Sequence, residues 1–555
     1  MKRTDWQRIV ACIFVAVILL LTSYRGLSET HEAAVDSSSY LLDESGACVD
    51  LLRSFRTPVY PLFLSLTGAS LDNYRYAAVL QCVFYAAGIL IIYHQISTFL
   101  LTPLAAMLAA FPLATASVLG FYGNEMLPET MGAALAFISL STICCRDRES
   151  VSIKREIITG VLVLLAVLCK PQYAFLCGVH LISAAVLVRS RRGTDSFWRN
   201  FKCELPRVIL PILPLVLYCV LRLFLVGHFG IVSFGGTNMA GIALNPAMFS
   251  KTTVDILPSP ELKAIGRSII ERREELIDRS RRDAKFRGED PAVRIHEVLD
   301  AEKFKLGGSF SDWVQCYNVN IWDVARPAVA TSLGYQQQVL TPTQSKEVDG
   351  ILAQLSSCAI SANRMLYVRY VSGALAYSLN RSVRQEKWSA RLMTVLLAML
   401  LFFSGVLAAL LLGRSGFLPF RSGVCLTMAM VCASSVLWED VSGMTFYIWG
   451  WVPGTISPEL LPVVAVFYGL FSGGSYLLFG YSRVFNDAQF SRDHAAACCS
   501  AYCFGVILLV SLVEAPLDRY LMTAWPVMCS LSAAMLGLAV QRLLQGLRLH
   551  IVNRY

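Results

Sequence analysis

Charged residues are scarce in this chain. Asp, Glu, Lys and Arg together make up 16% of its 555 residues, whereas 55% are apolar and the mean hydropathy is +0.55. Water-soluble domains contain about 25% charged residues. The composition therefore excludes a chain of three or four soluble domains.

The chain also lacks the usual signatures of a zinc site. It contains no CxxC pair and no HExxH spacing, and its seven histidines are scattered. Most of the seventeen cysteines lie in apolar stretches, where they act as small packing residues. Only Cys48, Cys316 and Cys358 lie in segments predicted to be on the outer side of the membrane, so at most one disulfide is predicted among them, with Cys316–Cys358 as the pair.

The net charge of +9 does not indicate a nucleic-acid-binding protein. The basic residues are concentrated in short loops between apolar runs, such as 146–155 and 189–207. Short loops rich in Lys and Arg stay on the cytoplasmic side of a membrane. The positive charge therefore indicates membrane orientation.

Long apolar stretches dominate the sequence. A bilayer core needs roughly 20 apolar residues per helix, and about twelve stretches meet this requirement. The sequence therefore predicts an all-α polytopic membrane protein whose first helix is uncleaved and has its N-terminus inside. The predicted spans are 9–22, 76–99, 102–121, 127–145, 157–170, 172–188, 208–226, 389–412, 419–437, 459–480, 495–512 and 521–541.

Alternation of these spans predicts three segments outside: 26–75, 124–129 and 227–388. The last is polar, and its pattern is mostly helical, with isoleucines and leucines on one side of 261–282. It is predicted to be a folded insertion of ordinary domain size. The chain then divides into a membrane module 1–226, the insertion 227–388 and C-terminal membrane helices 389–555.

Ionisable residues cluster near the predicted outer membrane boundary. Such residues are usually functional or paired, since each costs about 2.5–3.5 kcal/mol to insert at membrane depth. The first outer loop contains Asp36, close to Tyr40, and Arg56 at the start of the run Arg56-Thr57-Pro58-Val59-Tyr60-Pro61-Leu62-Phe63-Leu64. The second outer loop contains Glu125 and Glu129. The remaining two motifs are Leu168-Cys169-Lys170-Pro171 and Asp518-Arg519-Tyr520.

Carboxylates and cations on one side of a membrane suit a particular chemistry. A carboxylate can act as general base towards a hydroxyl nucleophile. Lys and Arg can bind a phosphate leaving group and stabilise its growing charge. Apolar surroundings suit a lipid tail on that phosphate.

These motifs, in this order and on this side, resemble the GT-C superfamily of polyprenyl-phosphate-sugar-dependent membrane glycosyltransferases. Its members include protein O-mannosyltransferases, the aminoarabinose transferase of lipid A and mycobacterial arabinofuranosyltransferases. The resemblance covers about residues 1–190, with a weaker match at 518–520, and implies a GT-C-like helical fold for the N-terminal module.

The resemblance implies that Asp36 is the catalytic base. Family members often have a second acid beside it, but serines follow Asp36. Glu125 or Glu129 is therefore the candidate second acid, and the requirement for a divalent cation stays open. Further roles are implied for other residues: donor phosphate binding for Lys170, Arg519 and Arg56, and substrate binding for Tyr40, Tyr60 and Tyr520.

Simpler roles remain open for several of these residues. Glu129 follows Pro128 at a predicted helix N-terminus, where the helix dipole alone favours a carboxylate. Arg56 can anchor the membrane interface by snorkelling, and Tyr60 is also typical of an interfacial aromatic. Arg519 can pair locally with Asp518.

The leading functional hypothesis is an inverting glycosyltransferase. It would move a sugar from a polyprenyl-phosphate donor to an acceptor hydroxyl of a glycan, lipid or protein on the extracytoplasmic face. The predicted location is a bacterial inner membrane, with a role in cell-envelope glycan synthesis. A ligase or polymerase of lipid-linked glycans would use a similar donor. A twelve-span secondary transporter is a third alternative, although its long central loop should follow the sixth span, inside the cell.

Overall fold

The molecule was analysed as a computed structural model. It describes residues 9, 12–13, 15–17, 19–20, 37–41, 56–116, 119, 122–123, 125–146, 152–190, 197–227, 229–232, 234–287, 295–299, 310–336, 340–385, 465–467, 469–470, 487–513, 518–534 and 537–538.

Helices form the regular structure of the described residues, which contain no strand. The membrane part comprises α1 (Val59–Leu66), α2 (Arg75–Phe99), α3 (Pro103–Ala114), α4 (Glu129–Cys144), α5 (Ile153–Cys169), α6 (Leu176–Ser190) and α7 (Phe197–Val226). The insertion comprises α8 (Gly235–Ala243), α9 (Lys251–Asp255), α10 (Pro260–Arg287), α11 (Ile295–Val298), α12 (Phe310–Val319), α13 (Arg326–Ser332), α14 (Pro342–Ala362) and α15 (Arg364–Gln385). The membrane part then resumes with α16 (Asp487–Val513), α17 (Asp518–Leu521) and α18 (Ala524–Ala534). Short 3₁₀ turns occupy Ser37–Tyr40 and Pro171–Phe175, and a π-helical turn occupies Asn320–Ala325.

Four described helices are long and apolar enough to cross a membrane. Their apolar stretches are Arg75–Thr98, Pro171–Val188, Glu204–Val226 and Phe490–Val513. Shorter apolar helices lie at Ala105–Ala114, Glu129–Cys144 and Ala524–Ala534. The predicted fold class, an all-α polytopic membrane protein, is confirmed.

Some of the twelve predicted spans fall wholly or partly outside the described residues. The spans 389–412 and 419–437 lie outside them entirely, and 9–22 and 459–480 are described only in part. Within the described residues, the predicted span 102–121 is shorter than expected, because its helix ends at Ala114. The total of twelve spans stays a prediction.

Small residues allow the membrane helices to pack closely. Gly160 of α5 faces α7, and a Cβ on it would lie 2.7 Å from the Cα of Pro211. Pro211 is one of three prolines inside α7, with Pro206 and Pro214. Membrane helices tolerate such prolines because neighbouring groups satisfy the freed backbone atoms.

The helix ends meet in two groups, at opposite ends of the bundle. At the first end, which we call the Lys170 end, Lys170 contacts Glu129, and the Gln81 Nε2 donates to the carbonyls of Gly123 and Glu125 at 2.8 and 2.9 Å. All of these residues lie in or beside segments predicted to be outside.

The second end, which we call the Arg146 end, brings together segments predicted to be inside. Arg146 donates to Glu156 at 2.5 Å, and Arg207 makes two 3.0 Å hydrogen bonds to Glu204. Arg492 Nε donates to the Leu100 carbonyl at 3.2 Å. The sequence placed Arg146 and Arg207 in loops, but both are buried because these glutamates neutralise them.

The insertion has a hydrophobic core of its own. In α10, Ile269 and Ile270 are buried as predicted, and they pack with residues of α8, α13 and α14. The insertion contacts the Lys170 end, where Lys346 Nζ donates to the carbonyls of Val226 and Gly227 at 3.0 and 2.8 Å. Its boundaries as an independent domain stay a prediction.

Two details of the insertion differ from expectation. Cys316 and Cys358 are free thiols, so the predicted disulfide is wrong; Cys316 is buried and its sulfur accepts a hydrogen bond from Asn320. The basic run of α10 is not uniformly solvated, because Arg273 is buried and donates to the carbonyls of Phe249 and Leu244. Burial lowers the pKa of Arg273 to about 10.

Candidate functional site

Glu129 and Lys170 occupy two adjoining helix ends. Glu129 is the first residue of α4, after Pro128, and Lys170 directly follows α5. A carboxylate in the first turn is stabilised by the positive end of the helix dipole. The local sequence therefore places an acid and a cation at the same membrane depth.

These two side chains form a buried ion pair. Lys170 Nζ lies 2.9 Å from Glu129 Oε1, and the side chains are 10% and 4% exposed. The other carboxylate oxygen, Oε2, is buried and accepts no hydrogen bond from the described residues. Glu129 therefore holds the lysine with one oxygen and keeps a second acceptor in an apolar setting.

Close packing fixes the turn that carries Lys170. A Cβ on Gly132 would lie 2.8 Å from Cε2 of Tyr173, so glycine allows α4 to approach the Pro171–Phe175 turn. The Thr57 hydroxyl donates to the Cys169 carbonyl at 3.0 Å. The first contact holds the turn against α4, and the second holds the end of α5 beside the first outer loop.

Tyr520 completes the surroundings of Lys170. The ammonium lies 5.0 Å from the centroid of the Tyr520 ring, within the distance of a cation–π interaction. The structure therefore brings the 518–520 segment to Lys170, although they are far apart in sequence. The side chains of Asp518 and Arg519 lie outside the described residues.

The predicted residues of the first loop form an aromatic–cation stack. The Arg56 guanidinium lies 4.4 Å from the Tyr40 ring centroid, and Tyr40 packs edge-on against Tyr60 at 5.4 Å. Arg56 Nε also donates to the Ser39 hydroxyl at 3.0 Å. Asp36, the predicted base, lies outside the described residues.

Tyr60 connects this stack to the ion pair and to the second outer loop. Its hydroxyl donates to Gln81 Oε1 at 3.4 Å. Burial raises the pKa of the Tyr60 phenol well above its usual value, and the Cys169 thiol and Glu129 carboxylate raise it further. Tyr60 is therefore a neutral hydrogen-bond donor at physiological pH.

Glu125 lies apart from the ion pair. It is half-buried in the second outer loop, and its carbonyl accepts from Gln81. Its carboxylate adds to the effect of burial in raising the pKa of Tyr74. The structure thus pairs Glu129 with Lys170 and sets Glu125 near Tyr74.

Sequence reasoning missed Gln81. It is buried inside the first turns of α2, and it links Tyr60 to the carbonyls of the second loop. A lone amide in an apolar stretch was the available signal, because a buried amide requires hydrogen-bond partners.

The described residues contain no group of three His, Cys, Asp or Glu side chains suited to a metal ion. Glu129, the buried acid of the site, is already neutralised by Lys170.

Comparison with known proteins gives a distant structural similarity. No protein-family model and no curated protein matches this chain. Among solved structures, it is similar to ArnT from Cupriavidus metallidurans bound to undecaprenyl phosphate, with 12% identity and a TM-score of 0.30. The alignment covers 95% of this chain and 78% of that one.

Proposed function

We propose that this protein is an inverting membrane glycosyltransferase of the GT-C type. It transfers a sugar from a polyprenyl-phosphate donor to an acceptor hydroxyl on the extracytoplasmic face. The observation that carries this proposal is the buried Glu129–Lys170 pair, at the end of the bundle where both outer loops and Tyr520 converge.

Lys170 is assigned to the donor phosphate. One contact of its ammonium goes to Glu129, and an ammonium has three N–H donors. A phosphate bound beside it would be stabilised as its charge grows during departure from the sugar. Arg56 and Arg519 are proposed as further phosphate contacts.

Glu129 is better placed to position Lys170 than to act as the base. One of its carboxylate oxygens already accepts a hydrogen bond from Lys170 at 2.9 Å, and this contact orients the ammonium. Its unpartnered Oε2 keeps it as the second candidate. Asp36, four residues before Tyr40 of the aromatic stack, is the proposed base.

The reaction then proceeds as a single displacement. The acceptor hydroxyl loses its proton to the Asp36 carboxylate and attacks the anomeric carbon. The bond from that carbon to the phosphate oxygen breaks with inversion, and the prenyl phosphate leaves with its charge facing Lys170. Tyr40, Tyr60 and Tyr520 are proposed to contact the sugar or acceptor.

Product analysis tests this proposal. Membranes from cells with and without the protein should differ by one sugar on a glycan, lipid or protein, measured by mass spectrometry. A difference of a whole glycan chain would instead establish a ligase or polymerase. No difference in any acceptor, together with changed uptake of a solute, would overturn the proposal in favour of a transporter.

The purified protein provides the second test. In liposomes containing a prenyl-phosphate sugar and the acceptor identified by mass spectrometry, wild type should release prenyl phosphate as the sugar is transferred, and Lys170→Met should not. Lys251→Met is the matched control, because Lys251 pairs only with the exposed Glu274, in the insertion.

A further inference from the structure

A cavity lies at the Arg146 end of the bundle. Its volume is about 340 Å³, and its walls come from α2, α3, α4, α16 and α18. Cys144, on its wall, is the last residue of α4, and Glu129 is the first. At 1.5 Å rise per residue, the lining residues Phe137 to Cys144 lie about 12–22 Å along α4 from Glu129, so the cavity is a separate site.

The walls of this cavity are mainly hydrocarbon. They include Ile92, Leu113, Phe137, Leu140, Val527 and Leu531. The thiols on the wall already have partners: Cys144 and Cys499 lie 3.8 Å apart, and Cys144 also contacts the Ala495 carbonyl. Sites of this size and lining bind apolar ligands with few polar groups.

One polar atom in the lining has no partner. The hydroxyl of Ser530 is buried and makes no hydrogen bond with the described residues, and Ser530 is 9% exposed. A buried hydroxyl without a partner costs free energy. A ligand with an acceptor next to its hydrocarbon part, such as an ester carbonyl, would satisfy it.

The rim of the cavity carries a cation. Arg492 lines the cavity next to Asp493; it is half-buried, and its Nε donates to the Leu100 carbonyl. A guanidinium has five N–H donors and favours phosphate. Hydrocarbon walls, an unpartnered hydroxyl and a cation at the rim match the parts of one lipid molecule.

We propose that this cavity binds one acyl chain of a glycerophospholipid, with the ester carbonyl at Ser530 and the phosphate at Arg492. The site does not depend on the proposed transfer reaction. An isoprenoid phosphate shares the hydrocarbon chain and the phosphate but has no ester carbonyl, so Ser530 distinguishes the two sources.

Native mass spectrometry of the purified full-length protein tests the site. Wild type should retain one phosphatidylglycerol, and Ala496→Phe, which fills the cavity, should lower its occupancy at least tenfold. Val161→Phe adds the same ring on the exposed face of α5 and should keep the lipid. Equal occupancy in both variants would overturn the proposal.

Thiol labelling provides a readout that needs no cavity-filling variant. Cys499 is half-buried on the cavity wall, and phosphatidylglycerol should slow its reaction with N-ethylmaleimide at least tenfold in delipidated wild type. Protection should weaken several-fold in Ser530→Ala and Arg492→Gln. If undecaprenyl phosphate protects Cys499 and Ser530→Ala leaves that protection unchanged, the ligand is an isoprenoid instead. If neither lipid protects Cys499, the proposal is overturned.

Discussion

Glu129 begins one membrane helix, Lys170 follows the end of the next, and their charged atoms meet at 2.9 Å in a buried setting. The pair fixes the position of the lysine that the proposed function assigns to the donor phosphate. Structure and proposed chemistry therefore depend on the same contact, and the two roles can be separated by substitution.

The first prediction concerns the stability of this pair. Removing one partner of a buried ion pair typically costs about 3–5 kcal/mol, because the other charge stays buried. Glu129→Gln and Lys170→Met should each be destabilised by this order, and the double variant by less than the sum. Denaturant unfolding in detergent measures the three values.

An exposed pair provides the control for that cycle. Lys251 and Glu274 lie 3.3 Å apart with side chains 78% and 57% exposed, and such pairs contribute about 0–1 kcal/mol. If the double variant at 129 and 170 loses as much free energy of unfolding as the two single variants together, the two residues do not stabilise each other.

The second prediction concerns donor affinity. Loss of one charge-assisted hydrogen bond costs about 1.5–3 kcal/mol, or roughly ten- to hundredfold in affinity. Lys170→Ala should weaken binding of a prenyl phosphate by this factor, and Lys170→Arg should restore most of it. Calorimetry or tryptophan fluorescence with the folded variants measures the affinity, and unchanged binding in Lys170→Ala would make the lysine purely structural.

The sequence predicted much of this arrangement because apolar length is a strong signal. The ends of α2 and α4 lie within two residues of the predicted spans, whereas α7 ends at Val226 as predicted but begins at Phe197 instead of 208. Lys170 is predicted to lie at the outer end of an apolar hairpin. The partner of Arg146 was not predictable, because Glu156 meets it, and also lies 3.7 Å from Arg207, only through helix packing. The Glu204–Arg207 pair is local instead, since the two residues are three positions apart on α7. The ring of Tyr520 over Lys170 was not predictable either, since 350 positions separate them.

The third prediction concerns Arg273 in the insertion. This buried guanidinium donates to the carbonyls of Phe249 and Leu244. Arg273→Ala would leave both acceptors without these bonds, at a cost of about 1–3 kcal/mol for each buried unsatisfied group. Hydrogen exchange of residues 244–249 should accelerate by at least tenfold.

Arg279→Ala is the matched control for this experiment. Arg279 is on the same helix but 60% exposed, and its partner Glu275 is equally exposed. Equal exchange rates in the two variants would contradict a structural role for the buried arginine.

The fourth prediction concerns sidedness. The insertion should lie outside, so a cysteine at the exposed position 251 or 279 should react with an impermeant thiol reagent added to intact spheroplasts. A cysteine at 154, beside the Arg146 end, should react only after permeabilisation. The reverse pattern would invert the topology and place the Glu129–Lys170 pair on the cytoplasmic side.

The last prediction concerns the base. Asp36→Asn keeps the size of the side chain but cannot accept the hydroxyl proton at neutral pH. Loss of a general base typically lowers turnover by roughly 10²–10⁴-fold, whereas donor binding should stay near wild type because the phosphate is assigned to Lys170. Turnover of purified protein with a prenyl-phosphate sugar, at matched concentration, measures the loss.

Other acids near the site separate catalysis from general electrostatics. Asp43→Asn, in the same outer loop, should lose much less activity, since that residue is predicted to lie at the surface. Glu129→Gln should weaken donor binding as well as turnover, because it releases Lys170. If Asp36→Asn retains more than about a tenth of wild-type turnover, the loss is smaller than the loss expected for a general base. In that case the base is another acid. Glu129, with its unpartnered Oε2, is then the first candidate and Glu125 the second.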